Sequence, residues 1–199
     1  EAQEAREGAF KYFLLGSVAS GFLLFGFALI YGATGTISLA GIAEYAAAGD
    51  ISPLYHAGFA LAVVGFAFKL ALVPFHMWAP DAYRAAAPAV TAFMAVGTKG
   101  AALVALARFV WSAVPSDPVL AGKYMAPLAA LAALSMLAGS LSAIFQNNLK
   151  RLLAYSGITH AGYLLIPLIA LQENGMRLSM FYLFGYMFMT VGAFAVITA

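Results

Sequence analysis

The sequence predicts an all-α polytopic membrane protein, and three observations carry that prediction. Only 9% of its 199 residues are charged, while 64% are hydrophobic; a soluble domain carries about 25% charged residues, so this chain cannot furnish an ordinary wet surface. Mean hydropathy is +0.91. The apolar residues fall into six runs, each near the ~20 residues that a helix needs to cross the hydrocarbon core. The runs are 12–31, 54–78, 89–111, 124–145, 152–171 and 178–199.

Breakers separate the runs. Gly32-Ala33-Thr34-Gly35 opens the first loop, and Asp50-Ile51-Ser52-Pro53 reads as a cap on the second span. Pro80-Asp81 and Pro88 flank a short polar turn, and Pro115-Ser116-Asp117-Pro118 forms another. Asn147-Asn148 and Glu173-Asn174-Gly175 mark the last two. Small residues within the runs, as in Gly16/Ser20 and Gly97/Ala101, suit close helix packing in lipid. The chain opens on Glu1 and closes inside an apolar run at Ala199, which reads as an internal piece of a longer protein.

Charge sets orientation. Arg6, Lys11, Arg84, Lys150 and Arg151 fall on one side, against Arg108, Lys123 and Arg177 on the other. The excess is modest and favours a cytoplasmic, matrix or stromal side for the N-terminal end. The net charge of +2 is spread out, with no basic run for nucleic acid. Cysteine is absent, which excludes disulfides and thiolate-held clusters. Three histidines without close pairing argue against a metal or haem site. No phosphate-binding loop, dinucleotide fingerprint or nucleophile elbow is present.

Two lysines stand where a lysine is costly. Lys69 and Lys99 lie deep in consecutive apolar runs, where a cation costs ~2.5–3.5 kcal/mol on insertion scales. The acidic residues, among them Glu1, Glu44, Asp50, Asp81, Asp117 and Glu173, all fall in expected loops or termini. The lysines therefore either meet a carboxylate outside this chain or spend time neutral, and a buried lysine that does so can take up and release protons. Pro74 follows Lys69 by five residues. A proline inside a helix removes one hydrogen bond and clashes with the carbonyl one turn back, here that of Leu70. Freed backbone at membrane depth persists only within protein or beside water, and a broken helix with an ionisable group at the break is a recurring ion-path device. A structural lysine bonded to carbonyls is the competing reading. His76 and, less so, His160 add titratable groups within or near helices, as does the Tyr155/Ser156/Thr159 cluster; His56 faces the interface.

These residues also carry a resemblance. From Phe68 to Tyr83 the sequence follows the pattern FK-x-x-x-VPFH-x-W-x-PD-x-Y, through Lys69, Pro74, His76, Pro80 and Asp81. From Gln146 to Tyr163 it resembles Q-x-N-x-KRLLAYSS-I-x-H-x-GY, through Lys150, Tyr155 and His160. Segments 11–16 and 30–35 agree as well. Both patterns resemble antiporter-like membrane subunits of the proton-pumping NADH:quinone oxidoreductase, respiratory complex I, in the form of subunit N (subunit 2). The resemblance covers nearly the whole chain. It implies a fold of two inverted five-helix repeats with broken helices, of which 1–118 holds the last three spans of the first repeat and 119–199 the first three of the second.

The same resemblance implies a proton-translocating role with Lys69 and Lys99 as relay residues. His76, Lys150 and Tyr155 are secondary candidates, Lys11 a weaker one, and Pro74 marks the break. The partner carboxylate of Lys69 would precede this chain. No cofactor is expected here; NADH, FMN, iron–sulfur clusters and quinone would bind other subunits. Expected partners are other membrane subunits, sister antiporter-like subunits included, together with the lipid bilayer and protons, but no nucleic acid. The location implied is an energy-transducing membrane, the bacterial plasma membrane. Ala79 and the 84–88 turn depart from the family pattern away from the lysines. Rivals are a subunit of a multisubunit cation/proton antiporter or membrane-bound hydrogenase, a structural spacer, and a quinone-binding enzyme.

Overall fold

A computed structural model describes residues 2–170 and 174–198. Glu1, Glu173 and the ends of two expected runs at 171 and 199 lie outside the described residues. Six helices are long and apolar enough to cross a membrane, as the six apolar runs predict. They are α1 (Ala2–Thr34), α3 (Pro53–Leu70), a composite of α5 (Pro88–Phe93), a π-helical turn (Met94–Thr98) and α6 (Lys99–Ala113), then α7 (Pro118–Ile144), α8 (Leu149–Ile169) and α9 (Gly175–Thr198). Two short helices stand between spans, α2 (Leu39–Ala47) and α4 (Trp78–Ala85). No strand occurs among the described residues.

The cap expected at 50–53 forms on Ser52, and two breaker segments read only as turns supply caps as well. Ser52 Oγ accepts from the Tyr55 amide at 3.3 Å, with Pro53 opening the helix. Asp117 Oδ1 accepts from Leu120 N at 2.8 Å, and Asn148 Oδ1 from Arg151 N at 3.1 Å. Each satisfies an amide that the first helical turn leaves without a partner.

Four readings need correction. The second run is not one span to residue 78: α3 ends at Leu70, and Pro74 lies beyond it rather than inside a kinked helix. The polar turn around Pro80-Asp81 is helical, because Pro80 falls in the first turn of α4, where a missing N–H costs nothing. The acidic residues Glu44 and Asp81 accordingly sit in short helices rather than loops. Close helix approach also falls elsewhere than expected. A Cβ on Gly26 would come within 2.6 Å of Ala62 N and 2.7 Å of Gly58 O, so the α1–α3 crossing requires glycine there. Gly16 meets only the Phe68 ring at ordinary distance, and Gly97 the ring of Phe93 in its own helix.

Packing is pairwise, α1 on α3 and α7 on α8, with α4 bridging α1 and α8, and α9 lying against α5 and α8. A buried cluster containing Phe68, Trp78, Tyr83, Ala95, Ile158 and Tyr186 surrounds the junction of these elements. Many outward side chains are large and apolar, Phe13 and Phe181 among them, as lipid or neighbouring helices require.

Candidate proton-relay site

The site begins at the end of α3. Ala71 adopts the left-handed conformation (φ 58°, ψ 43°), its amide bonds Phe68 O at 3.0 Å, and Leu72 N bonds Ala67 O at 2.8 Å. This is the paired closure of a Schellman motif, made on alanine although the left-handed region disfavours a Cβ. Lys69 therefore occupies the last turn of a half-helix, where the carbonyl end of the helix dipole favours a cation. It is half-buried, and no hydrogen bond or ion pair reaches its ammonium among the described residues.

The chain then runs through Val73 and Pro74, joined by a cis peptide bond, before α4 begins at Trp78. Trp78 folds back on the broken end. Its Nε1 donates to Phe68 O at 3.0 Å, and its ring lies 5.4 Å from that of Phe68 and 5.0 Å from that of Tyr12. Across the break, Val73 N donates to Ser135 Oγ of α7 at 2.9 Å. His76 is half-buried, and its Nδ1 is buried without a partner among the described residues. Burial lowers its pKa from the usual histidine value.

Lys99 is more deeply placed. It directly follows the π-helical turn and is 1% exposed. Its ammonium donates to Gly157 O of α8 at 2.7 Å. A π turn inserts one residue into the helical register, a distortion frequent at functional sites; nothing in the apolar periodicity around Gly97-Thr98 announced it. Gly157 makes room for the approach, since a Cβ there would lie 3.1 Å from Lys99 Nζ and 2.9 Å from Tyr186 Oη. It stands at the second serine of the KRLLAYSS pattern, a departure at the point where α8 meets the lysine.

Beyond Tyr186, polar groups continue along α8 and α9. The His160 ring lies 4.8 Å from that of Tyr186, and its Nδ1 is 2.6 Å from Tyr182 Oη. His160, Tyr182 and Tyr186 line a cavity of about 340 Å³. His160 thus stands nearer Lys99's surroundings than its sequence position suggested, because α9 closes over it.

Of the secondary residues, Lys150 donates to Ala86 O at 3.0 Å and weakly to Arg84 O at 3.4 Å, capping the carbonyl end of α4. Tyr155 is half-buried on α8; its carbonyl accepts from Thr159 Oγ1 at 3.3 Å. Lys11 bonds Asp81 at 2.9 Å and Glu7 at 2.5 Å, and Arg151 approaches Asp81 at 3.8 Å. These charges line one polar cavity, apart from Lys69 and Lys99. No carboxylate pairs with Lys69 or Lys99 among the described residues. Nor do His, Cys, Asp and Glu side chains gather there into a metal-binding group.

The family profile described as "NADH:quinone oxidoreductase/Mrp antiporter, TM" matches residues 1–199. The chain belongs to this family. Among relatives, it is 52% identical over 199 residues to NADH-quinone oxidoreductase subunit N 1 of Symbiobacterium thermophilum, covering 97% of this chain and 40% of that protein. It is 46% identical to subunit N of Salinibacter ruber, covering 100% and 39%. Among solved structures, a chain of respiratory complex I from Thermus thermophilus with bound aureothin superimposes with a TM-score of 0.78 at 42% identity, over 96% of this chain and 40% of that one. A chain of the archaeal membrane-bound sulfane sulfur reductase gives 0.85 at 35%, over 97% and 39%. One of the Mrp complex from Dietzia sp. gives 0.84 at 28%, over 96% and 34%. The chain thus spans about two fifths of the length of the relatives it matches. It shares the all-helical antiporter-like membrane fold of this NADH:quinone oxidoreductase/Mrp family.

Proposed function

We propose that this chain is part of a proton-translocating subunit of an NADH:quinone oxidoreductase, with Lys69 and Lys99 as relay residues. The observation that carries the reading is Lys99: an ammonium 1% exposed, directly after a π turn, held by one backbone carbonyl. An uncompensated membrane cation of this kind changes protonation when a neighbouring charge moves. Lys69, at the dipole-stabilised end of a half-helix, is the companion carrier. Quinone reduction in other subunits of the assembly would supply the energy, and protons pass through this one. His76 and Tyr155 are auxiliary groups, and Lys150 acts through its cap on α4.

The fold alone does not separate complex I from its relatives, since the sulfane sulfur reductase and Mrp chains superimpose as well. Among the solved structures sequence identity favours complex I, at 42% against 35% and 28%, and the curated relatives at 46–52% are named subunit N. On this reading residues 1–118 complete a first inverted repeat and 119–199 open a second. Sister antiporter-like subunits flank the protein in a bacterial plasma membrane. The basic cluster of Lys11, Arg84 and Arg151 supports a cytoplasmic N-terminal end.

The test replaces Lys69, and separately Lys99, by methionine in the intact complex in sealed vesicles. Proton uptake falls while assembly survives if the lysines carry protons. Unchanged uptake and quinone-reductase rate would make them structural and the subunit a spacer.

A further inference from the structure

We propose that Ser135 is a positioning residue for the Lys69 break, acting from the other half of the chain; the inference rests on the proton-relay reading above. The hydroxyl of Ser135 is fully buried on α7. Its single proton goes to Leu131 O at 2.6 Å, which leaves a lone pair directed at the Val73 amide at 2.9 Å. The hydroxyl thus donates once and accepts once. The amide it receives is not an ordinary one. Val73 lies two residues past Ala71, whose left-handed turn closes α3 with the Ala71 and Leu72 amides, so no helical carbonyl receives its N–H.

Two tertiary side-chain hydrogen bonds hold the broken backbone among the described residues. One is local, from Trp78 to Phe68 O. The other crosses from α7, 62 residues away in sequence. Ser135 therefore fixes where the chain leaves the half-helix bearing Lys69 relative to α7 and, through the α7–α8 pair, relative to the carbonyl of Gly157 that holds Lys99. Loss of the hydroxyl would free the exit of α3 without touching either lysine.

The experiment uses the intact complex carrying Ser135→Ala, Ser135→Thr or Lys69→Met, in sealed vesicles. Assembly, quinone-reductase rate, protons moved per quinone reduced and the pH profile of that ratio are read for each. Positioning predicts that Ser135→Ala assembles, loses protons per quinone and shifts the pH profile, while Ser135→Thr, which keeps the Oγ, restores both. Wild-type coupling and pH profile in Ser135→Ala, with coupling lost in Lys69→Met, would overturn the role of Ser135 alone. Retained coupling in Lys69→Met would instead overturn the relay reading. Should Ser135→Ala not assemble, hydrogen–deuterium exchange of the wild-type complex decides. Slow exchange at Val73 supports the bond, and exchange as fast as in an open loop refutes it.

Discussion

Lys99 and Gly157 meet at 2.7 Å, ammonium against carbonyl, with both residues buried and 58 positions apart in the chain. The glycine matters because its missing side chain leaves the space into which Lys99 and the Tyr186 hydroxyl both reach. A graded series at this position should separate space from chemistry. In Gly157→Ala the Cβ would lie 2.9 Å from Tyr186 Oη and 3.1 Å from Lys99 Nζ, both at the ends of side chains that can turn aside, so the complex should assemble and keep part of its pumping. Gly157→Leu should drive the ammonium off the carbonyl and abolish pumping while quinone reductase persists in part. Equal pumping in both would show that the Lys99 position is not critical.

Lys150 offers a direct distinction between capping and carrying. Its ammonium bonds Ala86 O at 3.0 Å, at the carbonyl end of α4. Glutamine can still donate there but cannot carry a proton, whereas methionine can do neither. Lys150→Gln should retain most proton uptake and Lys150→Met should lose some. If both fall alike, the charge itself is needed.

Ala71 carries the one described non-glycine positive φ, at 58°. The left-handed conformation costs an L-residue ~1–2 kcal/mol, offset in part because glycine is freer in the unfolded chain. Ala71→Gly should hold or raise the melting temperature of the purified complex. Ala71→Val, β-branched and fully buried, should lower it by the equivalent of ~1–3 kcal/mol. A destabilised glycine variant would contradict the strain argument.

Asp81 gathers Lys11 from α1 and, more loosely, Arg151 from α8, at 2.9 and 3.8 Å. The side chains are roughly one-third exposed, so salt should screen the network. Asp81→Asn should lower the melting temperature measurably at low ionic strength and little at high salt. A salt-independent loss would point to packing of α4 instead.

How much of this was legible beforehand differs from residue to residue. The anomalous positions of Lys69 and Lys99 were plain, because a charged residue inside an apolar run needs no partner to be conspicuous. The cap at Ser52 was plain for a similar reason, since the capping bond is local; Asp117 and Asn148 read only as breakers, although they cap in the same way. Pro74 announced a break but not its form. Whether a helix kinks around a proline or stops four residues before it depends on what partners the freed backbone groups find, and here the partners are Trp78 and Ser135. The short helix α4 was hidden because Pro80 reads as a turn unless the start of the helix is known.

The sequence by itself determined the solvent, the number of spans and the two costly cations, since each depends on composition or on neighbours a few residues apart. Only the tertiary structure decided that Lys99 follows a π turn, that its ammonium rests on Gly157, and that Ser135 holds the backbone beyond Lys69. Those contacts join positions about 60 residues apart. They arise from how buried hydrogen-bonding groups find partners once helices pack, and no local pattern encodes that choice.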